Sequence, residues 1–236
     1  MAQKRERMAK AMLLSVIIPV YNGAAFLAEA IASVRAQEYA PIEVIIVDDG
    51  STDETAQVVQ ALGVDLRYLY QPNQGPAAAR NTGLAVAQGD LIAFLDVDDL
   101  WPADKLAQQM ACLQANPATQ VVWGQTLLRP YEQADESAFP PLPPNWMPLL
   151  GSLLCRKAIF AQVGGFEPTM RFGEDVDWFI RLREQQVVIA RSPALGLLYR
   201  VRPGSMTYNK TLPEVGVFDI VRRMQHRRRA AVTEVR

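Results

Sequence analysis

The stretch Leu91-Ile-Ala-Phe-Leu-Asp-Val-Asp-Asp-Leu-Trp101 joins an apolar run to three carboxylates. Leu91 to Leu95 has the length of a buried strand and is too short for an independent helix, and it leads straight into Asp96, Asp98 and Asp99. In an open α/β sheet, ligands bind in the crevice beyond the carboxyl ends of the strands, so hard oxygen ligands belong at this point. An Asp-x-Asp tip suits a divalent cation, which in turn holds a diphosphate. A plainer reading makes Asp99 the N-cap of a helix from Trp101 to Gln114, with Pro102 in its first turn. Capping explains Asp99 and leaves Asp96 and Asp98 without a role.

Upstream, Leu13 to Val20 is a buried-strand run ending in Pro19-Val-Tyr-Asn22, where proline is tolerated and Asn22 can cap the next helix. Leu27, Ala30, Ile31 and Val34 then recur at helical spacing. Ile42 to Val47 is a second continuous strand, closed by Asp48-Asp-Gly-Ser-Thr-Asp53. A helix from Thr52 or Asp53 to about Leu62 and a strand Leu66 to Tyr70 complete a βαβαβ pattern. That alternation implies a mostly parallel α/β sheet flanked by helices, joined by right-handed crossovers. The segment Asn73 to Gly83 is rich in small residues and presents Arg80; alone, it reads as a close helix–sheet contact with a surface cation.

Downstream, Lys105, Leu106, Met110 and Leu113 mark a helix that stops near Asn116-Pro117, and Val121 to Leu128 reads as a strand. The prolines between Arg129 and Pro148 exclude regular structure from most of that interval, which is expected to be a lid, a binding loop or partly disordered, with Trp146 packed. Gly151 to Cys155 returns as a strand, Lys157 to Val163 is a short helix and Gly164-Gly-Phe166 a turn. Gly173-Glu-Asp-Val-Asp-Trp178 opens a helix through Leu182, whose first-turn carboxylates favour the helix dipole and also suit the mouth of a cleft. Val187 to Ala190 and Leu195 to Val201 read as two short late strands.

After Pro213, Val217, Phe218, Val221 and Met224 share one helical face, among and beyond which come Arg222, Arg223, Arg227, Arg228 and Arg229. Such a cluster is ordinarily a solvated helix end; the alternative is peripheral contact with anionic lipid or a phosphorylated acceptor carrier. With 24 basic and 25 acidic residues among 236, the net charge of -1 gives no case for nucleic acid as a partner. Cys112 and Cys155, the only cysteines, form neither a metal spacing nor a disulfide framework and read as reduced, buried thiols. Residues 1–11 are a charged tail without the apolar stretch of a signal peptide, and no window approaches a membrane span. The expectation is a cytoplasmic protein, soluble or peripheral at the inner face of the membrane.

In order and spacing, Ser15-Val-Ile-Ile-Pro-Val-Tyr-Asn22, Val47-Asp-Asp-Gly-Ser-Thr-Asp53, Asn73-Gln-Gly75, Ala79-Arg-Asn-Thr-Gly83, Gly89-Asp90, Phe94-Leu-Asp-Val-Asp-Asp99, Gly164-Gly-Phe166 and Gly173-Glu-Asp175 strongly resemble the family 2 inverting glycosyltransferases with the GT-A fold. The resemblance covers about Leu13 to Ser205. It implies a tail (1–11), a GT-A domain (12–210) divided into nucleotide-sugar-binding (12–115) and acceptor-binding (116–210) halves, and a basic helical tail (211–236). It implies that Pro19, Val20, Tyr21, Asp48 and Asp49 hold the base and ribose, with the aspartate that meets the base left open. Arg80, with Asn81 beside it, would line the nucleotide pocket. Asp96 and Asp98 would engage the ribose and a Mg²⁺ or Mn²⁺ ion bridging the diphosphate, and in the Glu174–Asp175 pair Asp175 would be the general base.

The implied reaction moves a sugar from a nucleotide-diphosphate donor, UDP by default, to a glycan or lipid-linked saccharide acceptor in polysaccharide biosynthesis at the cell envelope. A sugar hydroxyl is a poor nucleophile, so a carboxylate must take its proton while the diphosphate leaves from the opposite face. No enzyme nucleophile is needed, in keeping with the lack of a Ser/His or Cys/His signature. Many relatives carry a metal-completing histidine after the late strand; here the segment is Tyr199-Arg-Val-Arg-Pro-Gly-Ser205, and the only histidine is His226. Arg200 or Arg202 is therefore a candidate to neutralise the diphosphate directly. The competing reading is an inert nucleotide-sugar-binding scaffold.

Overall fold

The computed structural model describes residues 11–131, 143–203, 205–206, 211 and 216–234. Strands β1 (Leu14–Val20), β2 (Ile42–Asp48), β3 (Leu66–Tyr70), β4 (Leu91–Phe94), β5 (Val121–Pro130), β6 (Leu153–Arg156) and β7 (Ile189–Val201) form one sheet in the order β3-β2-β1-β4-β6-β5-β7. Only β6 runs against its neighbours β4 and β5, so the other six strands share a direction. From β1 the chain moves outward to β2 and β3, then returns to place β4 on the other side of β1. That reversal opens a crevice at the carboxyl ends of β1 and β4.

Both faces are covered because the strand residues alternate. Leu14, Val16, Ile18 and Val20 of β1 pack into one core with α1 (Ala24–Arg35), α2 (Thr55–Leu62) and α4 (Lys105–Ala115), through residues such as Leu27, Ile31, Val59 and Leu106. Ile17, Ile45, Val47 and Phe94 face the opposite core, against α3 (Pro76–Val86), α5 (Ile159–Val163) and α6 (Glu174–Glu184). A final helix, α7 (Val217–Glu234), contacts α6. No helix among the described residues is long and apolar enough to cross a membrane.

Several local expectations change. Asp99 caps no helix: its N–H bonds the Asp96 carbonyl, Leu100 pairs with Leu198, and α4 begins only at Lys105. The turn is held this way because Trp101 is buried and donates its indole N–H to the Gly151 carbonyl. Asn22 does not cap α1; at φ 50° it accepts bonds from Thr52 N and Asp53 N, while Asp53 receives the Ala24 N–H of α1. The two loops thus bond each other, and α2 starts at Thr55.

The late strands merge into β7, whose register against β5 shifts around Trp123 to Thr126. Pro193 is tolerated because β7 is an edge strand and is irregular there. At the other end of the partner strand, β5 continues through Arg129 and Pro130, and Asn145 pairs back to Thr126. Residues 132–142 of the proline-rich interval lie outside the described residues, as do residues 1–10 of the tail. Trp146 packs edge-to-face on Trp123 at 6.0 Å. Cys155 is buried, whereas Cys112 is only partly so.

Candidate active site

Six parallel strands deliver their carboxyl ends to one edge, so segments far apart in sequence converge there: Tyr21 after β1, Asp48 and Asp49 after β2, Asp96 to Asp99 after β4, and Arg200 to Arg202 at the end of β7. The acidic helix α6 comes in from the second face. Gly173 at its N-cap has φ 72°, a left-handed turn that an L side chain would strain, and it admits Glu174, Asp175 and Asp177 into the first turn. The helix is fixed by Trp178, fully buried, stacked on Phe160 at 5.2 Å and donating to the Gly164 carbonyl. Phe166 ties this cluster to β4 through Phe94, with ring centroids 5.3 Å apart.

Arg80 is the hub. It is 5 % exposed rather than a surface cation, and its two terminal nitrogens divide between Asp96 Oδ1 at 2.6 Å and Glu174 Oε1. Burial alone would lower its pKa, yet Asp96 and Glu174 hold it above the usual arginine value. The second carboxylate of α6 has no such partner. Burial and the adjacent Glu174 push Asp175 up to about 7, against the opposing pull of Arg80. A carboxyl that titrates near neutral pH therefore lies beside the Arg80–Glu174 ion pair.

On the other side of the crevice, Arg202 Nε donates to Asp98 Oδ2 at 3.0 Å, and its guanidinium lies 4.5 Å from the Phe26 ring centroid. Arg200 is committed elsewhere, to the Asp98 carbonyl and the Glu29 carboxylate, packed over Phe26 and Tyr131. Burial, then Asp96, raises the Asp98 pKa; burial, then Asp98 and Asp96, raises that of Asp99 further. Asp99 accepts the Arg200 N–H. Of the two late arginines, Arg202 is thus the one beside the Asp-x-Asp tip with its side chain partly open.

Asp48 and Asp49 are both buried and bonded inward. Asp48 accepts from Ser51 N and Tyr68 Oη, while Asp49 accepts from Gln71 Nε2, Gln74 N and Gly75 N and so fixes the entry to α3. Tyr21 is 53 % exposed at the same edge, beyond the buried Val20. The structure therefore brings Asp96, Asp98, Arg80, Glu174 and Asp175 into one group and leaves Asp48 and Asp49 as a supporting shelf. Sequence reading missed Phe26, Glu29, Tyr131 and Tyr68. Phe26 and Glu29 stand one helical turn apart on α1, the only local signal that they share a face.

The donor set fits Mg²⁺ or Mn²⁺. Asp96 and Asp98 supply hard oxygens, and Asp96 has a side chain 40 % exposed. No cluster of three His, Cys, Asp or Glu groups occurs among the described residues. Mg²⁺ bound through one or two carboxylates together with substrate phosphate needs none.

Residues 15–173 match the model for glycosyl transferase family 2. An uncharacterised glycosyltransferase of Rickettsia typhi is 34 % identical over 194 residues, covering 74 % of this chain and 60 % of that protein. One from Haemophilus influenzae is 45 % identical over 109 residues, covering 44 % of this chain and 43 % of its own length. The chain thus spans less than two thirds of the length of these relatives. Among solved structures, Staphylococcus aureus TarS 1-349 in complex with UDP-GlcNAc aligns with a TM-score of 0.68 at 23 % identity, covering 85 % of this chain and 62 % of that one. Mannosyltransferase PcManGT from Pyrobaculum calidifontis, in complex with GDP-Man and Mn²⁺, aligns with a TM-score of 0.63 at 21 % identity, covering 84 % and 59 %. At these identities the likeness establishes the fold, which is GT-A.

Proposed function

Because the chain belongs to glycosyl transferase family 2, we propose that it transfers a sugar from a nucleotide-diphosphate donor to a hydroxyl of a saccharide acceptor, with inversion in a single displacement. The observation that carries this reading is the Arg80 bridge, which joins Asp96 of the Asp-x-Asp tip to Glu174 of the acidic helix. On this reading the carboxylate proposed to meet the donor and the helix proposed to meet the acceptor are tied through one guanidinium, which favours a fixed separation between the two substrates.

Asp175 is the proposed base. Glu174 is occupied by Arg80, whereas Asp175 has a pKa of about 7, where a carboxylate can take a hydroxyl proton as the bond to the anomeric carbon forms. Glu174 acts beside it by keeping α6 in register. Pro19, Val20 and Tyr21 are proposed to meet the nucleoside, with Asp48 and Asp49 shaping the shelf beneath it. Arg202 is proposed to face the donor diphosphate through its fork of donors. Asp96 and Asp98 would hold Mg²⁺ or Mn²⁺, which when bound supplies Lewis-acid neutralisation of the departing diphosphate. UDP is the first donor nucleotide to test, in line with the UDP-GlcNAc held by TarS, and GDP the second, in line with the GDP-Man held by PcManGT. The acceptor is proposed to be a glycan or lipid-linked saccharide.

The test is calorimetric titration with UDP, GDP and dTDP, each with Mn²⁺, with Mg²⁺ and with chelator, followed by a screen of donor hydrolysis with the matching nucleotide sugars. Tight binding of one nucleotide and slow release of its sugar support the reading. Binding of none of the three sinks it.

A further inference from the structure

Arg200, near the end of β7, and Arg202, just beyond it, are alternate residues of an extended chain and so leave it on the same side. That side meets α1, where Phe26 and Glu29 stand one helical turn apart. Each takes one arginine: Glu29 accepts from Arg200 Nη1, and the Phe26 ring centroid lies 4.5 Å from the Arg202 guanidinium. The two arginines are fixed to different degrees. Arg200 is buried, bonded to the Glu29 carboxylate and the Asp98 carbonyl, with the Phe26 and Tyr131 rings against it. Arg202 has a side chain 21 % exposed and is held by Asp98 Oδ2 at 3.0 Å and by the Phe26 ring. That ring is itself set in place, partly buried against the core and edge-on to Tyr131 at 5.4 Å. Tyr131 in turn donates its N–H to the carbonyl of Val201, between the two arginines, at 2.9 Å.

We propose that Phe26 is a positioning residue for the donor diphosphate: its ring holds the Arg202 guanidinium at the Asp-x-Asp tip before the donor arrives. Its role rests on Arg202 being the cation that faces the diphosphate. A single Nε–carboxylate bond fixes one edge of a guanidinium and leaves a long, flexible side chain with other rotamers. An aromatic face attracts the cation and removes most of them. Order already lost in the free protein is not lost again on binding, so a held arginine takes a diphosphate more tightly than a loose one. A ring also suits this place better than a second acid. A carboxylate at position 26 would neutralise the guanidinium and compete with the diphosphate, as Glu29 does at Arg200, whereas a ring leaves the positive charge in place and takes up no N–H donor. Phe26 lies five residues after Tyr21, in the first turn of α1. The segment proposed to meet the nucleoside therefore also sets the cation proposed for the diphosphate.

The experiment pairs a structural readout with a binding one on the full chain. The Nε–H signal of Arg202, assigned by its loss in Arg202→Lys, is followed by proton–nitrogen NMR. Affinity for the nucleotide that wild type binds, UDP first, is measured by calorimetry in chelator at matched ionic strength. Phe26→Leu, which keeps an apolar side chain on α1, should move the Nε–H signal out of the ring current and weaken UDP about three- to fivefold, as for one partly buried cation–π contact. Phe26→Tyr keeps the ring and should restore both readouts. In the Arg202→Ala background, Phe26→Leu should have no further effect on UDP, a result that a general loosening of α1 would not produce. An unmoved Nε–H signal in Phe26→Leu, or an equal loss of UDP affinity with and without Arg202, overturns the positioning role. UDP binding that ignores Arg202→Ala overturns it too, because the cation then has no part in holding the diphosphate. In all three cases wild type still binds nucleotide, and the glycosyl-transfer reading stands. Failure of wild type to bind UDP, GDP or dTDP sinks that reading and the role of Phe26 with it.

Discussion

Arg80 on α3 donates to Glu174 on α6, two residues separated by 94 positions in the chain and both nearly buried. Removing the cation leaves Glu174 buried and unpaired and releases Asp96. Arg80→Met is therefore expected to cost about 3–5 kcal/mol of stability by chemical denaturation, as when one partner of a buried pair is lost. The double variant Arg80→Met/Glu174→Met should cost less than the single one, because it removes the orphaned charge as well. A double variant worse than the single would show that Glu174 is satisfied by other means.

Asp175→Asn keeps the shape of the first turn of α6 and removes the proposed base. Transfer should fall by roughly 10²–10⁴-fold while nucleotide affinity changes little. Because burial and Glu174 push Asp175 up to about 7, it is mostly protonated below that pH and inactive as a base. The rate should climb with pH and level off above about 7, and the ascending limb should vanish in Asp175→Asn. Near-normal transfer in that variant would refute the assignment.

Arg202 Nε lies 3.0 Å from Asp98 Oδ2, so each side chain restrains the other. Arg202→Ala should weaken UDP binding measured in chelator on the order of tenfold, the share of one charge-assisted contact. Asp98→Ala should instead flatten the response to Mn²⁺. If Arg202→Ala leaves affinity in chelator unchanged at matched ionic strength, Arg202 is an Asp98 restraint alone. Arg200 is less informative, since Glu29 and the Asp98 carbonyl already hold it.

Lys105 is fully buried, its ammonium bonded to Gln109 Oε1 and the Leu153 carbonyl and lying 4.3 Å from the Trp101 ring centroid. Burial pushes it down to about 7. Above that pH the folded chain holds fewer protons at this site than the unfolded chain, whose lysine titrates near 10.4. Its contribution to stability therefore rises as pH increases from about 7 toward 10, by several kcal/mol at most. Denaturation of wild type and Lys105→Met at pH 7 and pH 9 isolates this contribution: the gap between them should shift in favour of wild type at pH 9. A constant gap would mean that the ammonium stays charged in the fold.

The apolar runs at Leu14–Val20, Ile42–Val47 and Leu91–Leu95 are legible because each strand is buried on both faces, so no alternation blurs the signal. β7 reads as two strands because Pro193 interrupts the pattern, and only its place at the sheet edge makes the proline harmless. Asp99 and Asn22 fit local capping rules; the structure gives both side chains to partners from other segments, Arg200 N for one and Thr52 N for the other.

The sequence by itself determined the layered α/β architecture and the acidic ends of the elements, since periodicity and strand-ending carboxylates are properties of neighbours in the chain. Which acids pair with arginines and which accept the amides of their own loops was decided by tertiary structure alone. Asp48, Asp49, Asp96 and Asp98 are alike in the sequence, and their roles depend on whether the nearest donor is a backbone amide of the same shelf or an arginine from a distant element. The buried Arg80 hub is the clearest case. Its two carboxylate partners come from β4's carboxyl end and α6's amino end, and folding alone brings them to one guanidinium.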